Sequence, residues 1–275
     1  MAIITLTRQA GSMGDEIGML VARRLGYVYY DKKEIEKRII AKGLPQEEFV
    51  KFDERKPSIL DRFTKNRDRY LNYLSSVILE IAKEGNYVIM GRGAFIFLRD
   101  VPNHITLRFV STMKKRLEHI KEVTGITNDK VGEKFIADSD KRQRAFYKSC
   151  FKYDLNDLSL IYAAINTALC PPDMLADMIV AGITSNVTPK IDADGRKRVE
   201  ELILAQEMTN KLIFENGLHI DELWVMVHDK RITLHGLTSF HATVERAVTI
   251  LESEYSGYEV QSEIHCVQDT RFSKA

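Results

Sequence analysis

The most constraining feature of this chain is its opening. Ile3-Ile4-Thr5-Leu6-Thr7 is a short β-rich run that passes directly into Arg8-Gln9-Ala10-Gly11-Ser12-Met13-Gly14-Asp15-Glu16. Helical periodicity follows, with Ile17, Leu20, Val21 and Leu25 on one face. A strand, a glycine-bearing loop and a helix start, in that order, make backbone N–H groups converge. With the helix dipole behind them, they form a cradle suited to a phosphate chain. The full GxxxxGK[ST] pattern is absent: counted from Gly11, the lysine position holds Gly14 and the hydroxyl position holds Glu16. An ordinary βα turn has the same outline, so the loop alone leaves both readings open.

The sequence downstream repeats the alternation. Tyr27–Tyr30, Tyr87–Met90, Ile105–Val110 and Leu160–Ile165 read as strands; Tyr70–Lys83 and Lys114–Val123 read as helices. Short apolar strands separated by helices predict an α/β unit, a parallel sheet covered by helices on both faces. Such sheets take ligands beyond the carboxyl ends of their strands. After residue 198 the order changes to helix, strand, strand, helix, strand, at Val199–Phe214, Glu222–His228, Ile232–His235, Thr243–Glu254 and Val260–Val267. Between them Ser185–Arg198 is polar, carries Pro189 and Gly195, and has no sustained apolar period. The expected organisation is therefore 1–185, a linker at 186–198, and 199–275, in line with a length of 275 residues.

Charge separates the parts as well. Forty Lys/Arg against 39 Asp/Glu leave +1 overall, which points to no nucleic acid polymer. Residues 199–275 carry 6 basic and 13 acidic residues, a net −7, and residues 1–198 carry 34 and 26, a net +8. No apolar stretch approaches the roughly 18 residues of a membrane helix, and the start lacks a secretory pattern. Cys150, Cys170 and Cys266 are too few and too scattered for a disulfide framework or a CxxC metal site. A cytoplasmic, reduced protein is the expectation.

Three blocks carry a resemblance. ITLTRQAGSMGDEIGMLVARRLGYVYYDKKEI resembles the opening of the cytidylate kinase-like family, VIMGRGAFIFL (Val88–Leu98) resembles its GRGA strand and turn, and Asp140–Tyr147 with Tyr153-Asp154 and Ile165-Asn166-Thr167 resembles its lid and last strand. The resemblance implies a P-loop nucleoside monophosphate kinase fold. It also implies phosphoryl transfer from ATP, with Mg²⁺, to CMP or dCMP, so that the partners are a nucleoside triphosphate and a nucleoside monophosphate.

Phosphoryl transfer needs positioning and positive charge more than covalent help. The nucleotide-binding candidates are Arg8 at the loop entrance, the loop residues Gly11, Ser12, Met13, Gly14, Asp15 and Glu16, and Asp31, which equally suits a helix N-cap. The catalytic candidates are Arg92, a guanidinium placed to grip the acceptor phosphate, and Arg142 and Arg144 of the lid, where another register puts Gln143 at the functional position. Each arginine also reads as an ordinary surface residue. Three departures from the family bear on activity: Asp15 stands where an arginine is common, Met13 replaces a glycine, and the last strand lacks an aspartate after Tyr162. An aspartate a few ångströms from a polyphosphate is repulsive by about 1 kcal/mol. The alternative is a lapsed nucleotide sensor that acts through the second domain.

That second domain, over about Val199–Val267, resembles the αββαβ BON domain, with Asp229-Lys230 where a turn glycine is usual. A net −7 disfavours an anionic bilayer and leaves a protein partner, or the basic first part, as its contact. Its histidines (His219, His228, His235, His241, His265) lack metal-ligand spacing. Trp224 alternates with Leu223 and Val225, either on an outer recognition face or on a second buried one.

Overall fold

A computed structural model of the chain describes residues 2–47 and 64–267. It divides into two compact units, Met1–Arg196 and Lys197–Ala275. In the first, strands β1 (Ile3–Arg8), β2 (Val28–Tyr30), β3 (Tyr87–Met90), β4 (His104–Val110) and β5 (Ala163–Asn166) form one sheet in the order β2-β3-β1-β4-β5. Every pairing is parallel. The helices are α1 (Gly14–Leu25), α2 (Lys32–Ala41), α3 (Thr64–Glu84), α4 (Ala94–Phe97), α5 (Met113–Thr124), α6 (Asp129–Phe151) and α7 (Pro172–Asn186).

The pleat gives the sheet two different faces. Ile4 and Leu6 of β1 join Ile105, Leu107 and Phe109 of β4 in an apolar layer with Ile17 and Val21 of α1 and Leu175 and Ile179 of α7. The alternate residues Thr5, Thr7, Thr106 and Arg108 are also buried but polar. Thr5 and Thr106 bond to each other and to His104, whose Nε2 lies 2.7 Å from Thr5 Oγ1 and 3.2 Å from Thr106 Oγ1. Burial is the main reason the His104 ring is held neutral, its pKa lowered to about 4.

The expected strands are present, with shifted ends. Leu160 and Ile161 precede the last strand instead of opening it, and pairing starts at Ala163 opposite Leu107. The segment 186–198, expected as a linker, is mostly helical, because α8 (Pro189–Asn210) runs through it. Pro189 is tolerated at a first helical position. Gly195 serves a close approach: a Cβ there would lie 2.0 Å from Asn103 Oδ1. Asn103 also donates to Asp192 of the same helix at 3.1 Å.

In the second unit α8 ends in a π-helical turn, Lys211–Glu215. β6 (Asp221–His228) and β7 (Arg231–Thr238) form an antiparallel hairpin, and β8 (Glu259–Cys266) joins β7 in parallel after α9 (His241–Glu254). Leu223, Val225, Val227, Ile232 and Leu234 bury against Met208, Leu212, Ala247 and Leu251. Asp229 takes φ 51° in the hairpin turn, a left-handed conformation aspartate tolerates, so the missing glycine is no obstacle. Trp224 is 49% exposed on the opposite face, its ring stacked on His235 with centroids 3.9 Å apart. Among the described residues no helix is long and apolar enough to cross a membrane.

The neutral His104 yields a signed prediction. Its folded pKa, about 4, lies below the ordinary 6.5, so its contribution is complete above pH 6.5 and is lost as pH falls from there toward 4. Hydrogen exchange at β1 and β4 amides should show opening become easier by on the order of 3 kcal/mol across that window. A His104→Gln protein should lack that slope; equal slopes in the two proteins would contradict the assignment.

Candidate phosphate-binding site

The loop after β1 forms a real cavity. Its volume is about 280 Å³, and residues 8–16 line one side, with His119, Ile120 and Val123 of α5 and Ser139, Asp140 and Gln143 of α6 on the other. The backbone explains the shape. Gly11 has φ 76°, and a Cβ there would sit 2.6 Å from the Arg116 carbonyl oxygen, so only glycine lets α5 come this close. Ser12 is buried and donates to the Gln9 carbonyl at 2.9 Å, which closes the turn. The first backbone hydrogen bond of α1 is Ile17 N to Met13 O at 3.0 Å. The amides of Met13, Gly14, Asp15 and Glu16 therefore have no backbone acceptor among the described residues, the ordinary condition of a helix start. They line the cavity.

Met13 occupies the position just before α1 with φ 55°, a conformation that costs a side-chain-bearing residue about 1 kcal/mol. Its side chain packs against the apolar core of the first unit, an offset that the sequence alone did not reveal.

Each acid at the cavity has a basic or hydroxyl partner. Asp15 accepts from Arg8 Nε at 2.7 Å and from the Tyr29 hydroxyl at 3.2 Å. Tyr29 is held protonated, mainly by burial and secondarily by the Asp15 charge. Glu16 lies 3.0 Å from His119 Nε2. Asp140, from α6, accepts from the Ala10 amide at 3.2 Å and from Arg116 Nη2 at 2.6 Å, while Arg116 Nε donates to the Ala10 carbonyl at 2.7 Å. The anticipated repulsion by Asp15 is thus offset by Arg8. With side chains 30% and 44% exposed, that pair is worth at most about 1 kcal/mol, and a polyphosphate carrying several charges competes well for the arginine.

The other candidates fall into separate places. Asp31 is the N-cap of α2, accepting from the Glu34 amide at 2.9 Å. Arg92 is 1% exposed and lies in the left-handed region between Gly91 and Gly93. Its guanidinium pairs with Glu36 and lies 5.5 Å from the Phe146 ring centre. Arg142 is half-buried and Arg144 exposed, and the α6 residues on the cavity wall are Ser139, Asp140 and Gln143 instead. One turn and 3.6-residue periodicity explain this: 139, 140 and 143 share a face from which 142 and 144 are rotated away.

Sequence reasoning did not single out Tyr29, Arg116, His119 or Asp140. For α5 a signal existed, since Arg116 and Ile120 are one helical turn apart and share a face, unlike Lys114 and Lys115. For Asp140 none did, because its partner Ala10 is 130 residues away. The histidines of the second unit form no metal-holding group among the described residues.

A parallel sheet in this strand order, with helix-start amides open to a cavity beyond its carboxyl edge, defines a P-loop kinase fold. The chain belongs to the cytidylate kinase-like family, whose model matches residues 3–168. It is 29% identical over 199 residues to a cytidylate kinase of Pyrococcus horikoshii, covering 72% of this chain and 96% of that one. To a cytidylate kinase of Thermococcus kodakarensis it is 27% identical over 201 residues, covering 73% and 96%. An uncharacterised protein from Eubacterium ventriosum has a similar crystal structure, with a TM-score of 0.53 at 21% identity, covering 67% of this chain and 98% of that one.

Removing one negative charge from the cavity should favour a phosphate ligand. Asp15→Asn is expected to tighten binding of inorganic tripolyphosphate without Mg²⁺ by about fivefold, the equivalent of roughly 1 kcal/mol, measured by calorimetry. Unchanged or weaker binding would contradict the account of the cavity's charge.

Proposed function

We propose that the first unit transfers a phosphoryl group from ATP to a nucleoside monophosphate, CMP or dCMP. The observation that carries this reading is the open row of amides from Met13 to Glu16 facing a cavity with Arg8 at its edge, in a chain of the cytidylate kinase-like family. The amides fix the donor phosphates without any reorganisation during transfer, which is how a preorganised site lowers the barrier. Arg8 supplies positive charge where the lysine is missing. A Cβ at Gly91 would lie 3.9 Å from Arg8 Nη1, so the guanidinium reaches from the donor loop toward the turn that carries Arg92. Arg92 takes the acceptor phosphate in exchange for Glu36, and Arg142 and Arg144 add charge from α6.

The cavity's size and open amides fit a polyphosphate. Mg²⁺ is ordinarily held by one or two carboxylates together with substrate phosphates; Asp15 and Glu16 are the residues that would hold it here, and it would neutralise phosphate charge. The second unit is read as a BON-like binding module, supported by its helix–strand–strand–helix–strand order, and its net −7 suits a basic protein surface. The relatives named above are cytidylate kinases, which favours transfer over sensing alone.

A coupled ADP-release assay with ATP and Mg²⁺ should show turnover with CMP and dCMP exceeding that with UMP and AMP. No turnover with any of the four, from protein that binds ATP, would overturn the reading. Arg92→Ala should weaken CMP binding by about 1–3 kcal/mol, the scale of a charged hydrogen bond; an unchanged titration would remove Arg92 from the site.

A further inference from the structure

Arg108 is the anomaly of the first unit. It sits near the carboxyl end of β4, paired in register with Thr7 of β1, at 7% exposure. Its one hydrogen bond among the described residues is a long one, Nη1 to Thr7 Oγ1 at 3.4 Å. No carboxylate among those residues pairs with it. The other buried arginines are served differently: Arg116 has Asp140 at 2.6 Å, and Arg92 has Glu36. A guanidinium carries several N–H donors in a fixed fork, and holding its charge at such low exposure without a counter-ion is costly. Nothing about strand formation calls for that expense, since β4 is a central strand whose neighbours at alternate positions are threonine and histidine.

The surroundings say what the charge is for. Arg108 lies on the polar face of the sheet, on the side of α6. Tyr147 is buried there and accepts the Gly93 amide at 3.2 Å, which ties α6 to the turn bearing Arg92. Tyr147, Tyr153, Asp140 and Arg144 are near enough to act on the Arg108 charge, and burial is the largest influence, weakening its hold on its proton. Arg92 and Arg108 thus stand beneath the same helix at the ends of β3 and β4, where open α/β sheets receive ligands.

We propose that Arg108 is a phosphate-binding residue, held without a carboxylate partner so that it can receive the phosphate of a nucleoside monophosphate. The inference rests on the proposed function only for the identity of the acceptor. Bidentate guanidinium–phosphate contact is the geometry that satisfies such a fork. An incoming phosphate would supply the counter-ion that the protein lacks, so part of the desolvation cost is already met before the acceptor binds.

The test compares full-length wild type with Arg108→Met, similar in length and uncharged, and with Arg108→Lys, which keeps the charge and guards against a folding defect. Calorimetry is run with CMP, with cytidine, and with inorganic tripolyphosphate as the probe of the donor loop. Arg108→Met should lose CMP affinity by about tenfold or more and leave cytidine and tripolyphosphate within about twofold. Arg108→Lys should fall between Arg108→Met and wild type for CMP. CMP affinity unchanged in Arg108→Met would overturn the assignment. An equal loss for all three ligands would also overturn it, since that is what general loosening produces. Wild type that binds tripolyphosphate but not CMP removes the proposed acceptor and this inference together; wild-type CMP binding matched by Arg108→Met removes the inference alone.

Discussion

Everything at the candidate site depends on four main-chain amides that α1 cannot satisfy itself. A helix start leaves such donors without an intrahelical partner whatever its side chains are, and the tight turn at Gly11 and Ser12 sets their residues along a cavity wall. Binding of phosphate by these groups does not require the lysine that the usual pattern supplies; the lysine adds charge. In this chain the cation beside the amides is Arg8, at the end of β1, and Asp15 fixes where that arginine rests.

The second constraint is the sheet's division into an apolar and a polar face. On one face Ile4, Leu6, Leu107 and Phe109 meet α1 and α7 and provide the core. On the other a polar ladder of buried threonines and Arg108, with His104 at its start, runs toward the carboxyl edge. Buried polar groups of this kind contribute little net stability even when paired. Their placement leads from the interior to the edge where Arg92 and the loop after β1 lie, the edge at which open α/β sheets receive ligands.

The alternation of strands and helices was legible in the sequence because parallel strands buried on both faces leave short apolar runs between amphipathic helices. The strand–loop–helix turn at Gly11–Glu16 was legible because its glycines and the helical period after them are local features of the sequence. The segment 186–198 looked irregular in the sequence, yet α8 runs through most of it, and the hydrogen bond from Asn103 to Asp192 joins it to a residue far along the chain that no local pattern encodes. Gln143 could be named only as one of two registers, because Arg142 and Arg144 looked the better chemistry and only the helix's orientation separates them. Asp140 and Tyr29 lay in segments already read as a lid and a strand, but their contacts, like those of Arg116, were hidden because each partner is distant along the chain. Arg108 escaped because a lone arginine in a strand reads as a surface residue until its burial is known.

The amides of Met13–Glu16 are proposed as a receptacle for polyphosphate. A crystal structure of the full chain with a non-hydrolysable ATP analogue and Mg²⁺ tests it most directly. Phosphate oxygens within about 3 Å of those nitrogens, with the Arg8 guanidinium turned from Asp15 toward them, is the predicted result. An analogue bound elsewhere, or the amides still facing solvent with Arg8 locked on Asp15 at saturating ligand, would contradict it.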